Sequence, residues 1–131
     1  MKKLLFLIFL ATEARADTVA NTILAEARGE GFRGMYAVAA VIKNRSDLSG
    51  RTPEQECLRP KQFSCNNHGV PNLLDGSKES RYALFLSRNI GRLDTSGVNG
   101  ATHYHSGPAP KWAKGKKPVL TLRGHKFYRL P

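Results

Sequence analysis

Apolar residues recur at helical spacing between Asp17 and Arg28, where Val19, Ala20, Ile23, Leu24 and Ala27 share one side of a helical projection. Asp17 or Thr18 supplies a cap for the start, and Gly29 stands where a helix end favours a left-handed residue. Gly31 and Gly34 then read as a break. Met35 to Ile42 is apolar throughout, and its alanines, Ala37, Ala39 and Ala40, favour a buried helix over a strand. Residues 46–76, rich in proline and glycine, read as a long loop, a length that usually marks function. Ser77 caps a third helix through about Asn89, and Gly91 stops it. Beyond Asp94 the pattern changes to short strands, at Ala101 to His105, Val119 to Arg123 and His125 to Tyr128, the last two paired about Gly124. The sum is an α+β domain, helix-rich, with a short antiparallel sheet.

The amino terminus does not belong to this pattern. Met1-Lys2-Lys3 is followed by an unbroken apolar run from Leu4 to Ala11 and by Ala14-Arg15-Ala16, the layout of an export signal with a small-residue cleavage site. Residues 1–16 are therefore expected to be a signal peptide and 17–131 a single domain. The chain is strongly basic, with 21 Lys and Arg against 10 Asp and Glu and a formal charge of +11. Cleavage removes Lys2, Lys3, Arg15 and Glu13 and still leaves about +9. Such a domain is drawn to polyanions, nucleic acid or an anionic cell envelope, and the export signal favours the envelope, in the periplasm, the wall or outside the cell. Under the same reading Cys57 and Cys65, close together in an exported chain, are expected to form one disulfide.

Candidate chemistry lies in three places. Glu26 falls at the edge of the first apolar face, where partial desolvation raises a carboxyl's pKa and suits it to general acid work. Glu30 follows one turn later. Lys61-Gln62-Phe63-Ser64-Cys65 mixes amide, hydroxyl and aromatic groups of the kind that bind sugars. His103 and His105, on one strand, face the same side, with Tyr104 opposite. His125 offers a third nitrogen, but no carboxylate stands at a telling spacing, so neither metal nor cofactor is assigned. Trp112, the only tryptophan, follows a Gly-Pro-Ala-Pro turn and either lines a cleft or caps the core.

Taken in order, these runs resemble the SleB-type cell-wall hydrolase family. The matching segments are Leu24-Ala25-Glu26-Ala27-Arg28-Gly29-Glu30, Gly34 and Ala37 to Ile42 with Asn44-Arg45, Gln62-Phe63-Ser64-Cys65, Ala101-Thr102-His103-Tyr104-His105, Pro110-Lys111-Trp112, and Gly124-His125-Lys126-Phe127-Tyr128. The resemblance implies a lysozyme-like lytic transglycosylase that cuts peptidoglycan between N-acetylmuramic acid and N-acetylglucosamine and forms a 1,6-anhydro sugar. By the same resemblance Glu26 is the acid, and Gln62, Ser64, Tyr104 and His105 line the cleft. Glu30 and Trp112 complete the substrate-binding candidates. Members often carry a bulky aromatic after the Gln-Phe-Ser-Cys run, where this chain has Asn66. Three other readings compete. A true lysozyme would use Glu30 or Asp94 as second carboxylate, a zinc amidase would use the histidines, and a basic nucleic-acid-binding protein would use charge alone. The last lacks a basic stripe interleaved with aromatics, so no specific nucleic acid is expected as a partner.

Overall fold

The computed structural model describes residues 18–59 and 63–131, apart from the side chain of Ser64. The expected signal segment lies outside the described residues. Helix α1 covers 18–27, and its predicted apolar face is buried: Val19, Ala20, Ile23, Leu24 and Ala27 are each at most 1% exposed. A 3-10 turn, Arg28–Glu30, leads directly into α2, Gly31–Ser49. The expected break therefore falls at Gly31 alone, and Gly34 lies beyond it inside α2. The left-handed residue is Gly31 (φ 76°) rather than Gly29, because the 3-10 turn postpones the reversal by two positions. Gly34 lies inside α2, where an added Cβ would collide with the Cβ of Glu30, so its small size lets the turn fold back on the helix.

Helix α2 is the centre of the molecule. Val38, Ala39, Ala40, Val41 and Ile42 have no exposed surface, so the helix is apolar nearly all round, as a central element should be. One side packs on α1, Phe63 and the buried residues Ala83 and Leu86. The other, made of Ala37, Ala40 and Val41, receives Phe127. Gly50 (φ 76°) closes α2 by donating its N–H to the Ser46 carbonyl at 2.9 Å.

The segment expected to be loop contains a helix, α3, Pro53–Leu58. Its signal is a capping box: Thr52 Oγ1 accepts from the Gln55 N–H, the Gln55 side chain accepts from the Thr52 N–H, and Pro53 fills the first turn. Helix α4, Lys78–Arg88, begins at Ser77 as expected. Three strands follow, β1 (His103–Ser106), β2 (Leu120–Leu122) and β3 (His125–Tyr128), in the antiparallel order β1-β3-β2. Arg123 (φ 47°) turns the β2–β3 hairpin, and Tyr104 pairs with Phe127 in the adjoining ladder. The α+β expectation holds. No helix among the described residues is long and apolar enough to cross a membrane.

Candidate active site

Glu26 is half-buried on the last turn of α1. Two groups from distant parts of the chain converge on it. The Cys65 thiol lies 3.6 Å from Glu26 Oε1. The Tyr104 phenol comes from the core-facing side of β1. Burial, and then the negative charge of Glu26, push the Cys65 pKa up to about 12. The same causes, in the same order, hold the Tyr104 phenol well above its ordinary value. At neutral pH both are thus uncharged donors. The Tyr104 hydroxyl is buried and close enough to Glu26 to feel its carboxylate, but meets no acceptor at full hydrogen-bond geometry among the described residues.

Asn66 fastens this arrangement. Its amide donates to Thr22 Oγ1 at 2.8 Å, one turn before Glu26 on α1, and to the Cys57 carbonyl at 3.0 Å. Its carbonyl oxygen lies 3.5 Å from Cys65 Sγ. The polar residue that stands where an aromatic was expected thus ties the Cys65 turn to the Glu26 helix. Thr22 was missed in the sequence; its place four residues before Glu26 was the available signal. Cys57 and Cys65 are both free thiols. The disulfide expected between them is absent from this structure, and burial lifts the Cys57 thiol to about 12.

The other candidates are distributed around this centre. Gln62 and the Ser64 side chain lie outside the described residues; the Ser64 backbone begins a 3-10 turn, Ser64–Asn66. Glu30 points toward the hairpin, with Oε1 3.7 Å from where a Cβ on Gly124 would sit, and lines a cavity of about 410 Å³ with Phe32, Arg33 and Arg123. His103 and His105 share the outer face of the sheet, as the alternation predicts, and both pack on Trp112, at 5.4 and 5.7 Å between centroids. His105 Nε2 and the Tyr128 hydroxyl are 3.0 Å apart. His105 and Trp112 therefore stand across the sheet from Tyr104. His125 instead meets Tyr104 edge-on at 5.2 Å, so the three histidines do not converge, and no group of three metal-ligating side chains occurs among the described residues.

The remaining carboxylates near the centre are engaged elsewhere. Asp75 binds Arg28 at 2.8 Å and accepts from Ser77 and Ser80. Hydrogen bonds from Ser77, then Ser80 and Arg28, hold it below the usual carboxylate range. Asp94 accepts from the Ser96 N–H at 2.9 Å. Glu56 is buried among arginines.

Residues 29–128 match the family model described as Cell Wall Hydrolase. The chain belongs to the cell wall hydrolase family. This is the SleB-type family its motifs resemble, and membership supports hydrolysis of peptidoglycan as the general activity. The matched span covers Cys65, Tyr104 and the strands, and Glu26 stands three residues before it. No curated protein and no solved structure gives a significant match.

Proposed function

We propose that this cell wall hydrolase is an exported lytic transglycosylase in which Glu26 serves as both acid and base. The observation that carries the reading is the convergence of two neutral donors, Cys65 and Tyr104, on Glu26, while Glu30, Glu56, Asp75 and Asp94 are directed elsewhere. In the proposed reaction Glu26 gives its proton to the glycosidic oxygen as the bond from C1 of N-acetylmuramic acid breaks. The carboxylate so formed is met by the thiol and the phenol, donors fixed in place before charge develops. The 6-hydroxyl of the same sugar then attacks C1 and returns its proton to Glu26. No water is consumed, and the intramolecular attack replaces a positioned nucleophilic carboxylate or base.

Purified sacculi digested in heavy-oxygen water test this. Anhydro ends without label are expected, and labelled reducing ends would identify a lysozyme instead. Glu26→Gln should lower the rate by about 10²–10⁴-fold, the usual contribution of a general acid–base group, with unchanged melting.

A further inference from the structure

A concave site lies between the start of α2 and the β2–β3 hairpin. It is the cavity of about 410 Å³ that Glu30 lines with Phe32, Arg33, Thr121, Leu122, Arg123 and two glycines. Its charged groups do little within the fold. Arg123 gives one donor, Nη1, to the Gly29 carbonyl at 3.4 Å, and Glu30 and Arg33 make no hydrogen bond or ion pair among the described residues. Phe32 forms one wall and continues the site outward. Its ring, 48% exposed, meets Tyr82 at 4.9 Å between centroids, and Tyr82 lies 6.3 Å from Phe85, 56% exposed, with the two planes 13° apart. Tyr82 and Phe85 are three residues apart on α4 and so share a face. Single exposed apolar side chains need no explanation, but three rings in series beside a polar cavity do.

A pyranose ring has the same two-sided character, with C–H bonds on its faces and hydroxyls around its rim. The electron-rich face of an aromatic ring suits the first, and a carboxylate with guanidinium forks suits the second. We propose that this cavity and the Phe32–Tyr82–Phe85 platform bind a further stretch of the glycan strand, away from the bond that is cut. The inference rests on the glycan-cleaving reading above. The site is close enough to Glu26 to hold the same strand. Glu30 follows Glu26 by four residues, so their Cα atoms lie within about 14 Å of each other. On the hairpin side, Glu30 Oε1 lies 3.7 Å from where a Cβ on Gly124 would sit, and the next residue, His125, meets Tyr104, which adjoins Glu26. A second copy of the chain fits the platform less well. Rings of about 150–250 Å² each, about half exposed or less, offer on the order of 300 Å², against the ~800 Å² per partner of a stable interface.

The test measures kcat/KM on peptide-free glycan oligosaccharides of increasing length. Wild type should gain about tenfold or more between a tetrasaccharide and a dodecasaccharide, the effect of one hydrogen bond to a charged group. The gain should appear in KM, because the strand is held equally before and during bond breaking. Phe32→Ala and Phe85→Ala, the second removing a ring that is 56% exposed, should bring the long-to-short ratio toward one, and Phe32→Tyr should keep it. A flat series in wild type, or a ratio that neither alanine variant changes, overturns the proposal. Activity of wild type on no length would instead overturn the glycan-cleaving reading, and a binding arm, independent of turnover, then decides the site. Glu26→Gln protein is titrated with the dodecasaccharide and with free stem tripeptide, and the ring resonances of Phe32, Tyr82 and Phe85 are followed. Shifts with the glycan alone support the site. No shift with the glycan, equal shifts with the tripeptide, or shifts that follow protein concentration alone, the mark of a second copy, overturn it.

Discussion

At the scale of single residues, Glu26 owes its proposed role to two neighbours and one tether. Tyr104→Phe removes a hydroxyl that meets no acceptor at full hydrogen-bond geometry among the described residues, so stability should change by less than about 1 kcal/mol. If that hydroxyl meets the developing carboxylate, activity should nonetheless fall roughly 10²-fold, as when an oriented donor to developing charge is lost. Matched thermal melts and sacculus assays separate the two effects. Glu26 was legible in the sequence because an apolar face has an edge that can be counted. Cys65 and Tyr104 were visible only as members of motifs, and Asn66 only as a departure from one, since nothing in local spacing says which distant residues will meet. Glu56 was not legible at all, because a glutamate on a short helix is ordinarily solvated. Burial alone would raise its pKa, but the Ser49 hydrogen bond and the charges of Arg45 and Arg59 outweigh burial and hold it below the usual value. Its contribution to stability is thus fully present above the unfolded carboxyl pKa of about 4.3 and is lost as pH falls through the lower folded value. Melting temperatures measured from neutral pH into acid should show this loss. Glu56→Gln should show less of it and start about 3–5 kcal/mol less stable at neutral pH, because the buried Arg45 guanidinium loses its carboxylate partner.

At the scale of elements, helix placement followed from periodicity, while the boundaries followed from contacts the sequence does not display. Ser77 as the cap of α4 and the burial of α1 were both readable. The joint between α1 and α2 was not, because Gly34 acts through a neighbour, Glu30, and not through its own backbone freedom. Gly34→Ala is therefore a sharp probe. Alanine should favour the helix by about 1 kcal/mol over glycine on propensity alone. The collision with Glu30 Cβ should reverse that sign and destabilise by about 1–3 kcal/mol, as overpacking does. Chemical denaturation decides between the two signs. In the same way α3 was hidden by its proline, which reads as loop unless Thr52 and Gln55 are recognised as a reciprocal cap.

At the scale of the whole molecule, the positive charge, +11 for the full chain and about +9 after the expected cleavage, and the small core act together. Binding to anionic sacculi should weaken steeply as salt rises and the screening length falls from about 10 Å at 0.1 M to about 3 Å at 1 M, while the fold, held by its buried core, persists. A pull-down on sacculi across a salt series, with circular dichroism alongside, measures both. The Cys65–Glu26 contact spans 39 positions of the chain, and Tyr104 joins it from a strand held in register by β3, which ends at Tyr128. The centre thus has no local precursor. Under the proposed function, a product shortened by a premature stop before β3 would be catalytically silent. Under the same proposal, potency arrives in one step when β3 docks, so a chain held unfolded is harmless until that strand finds its place.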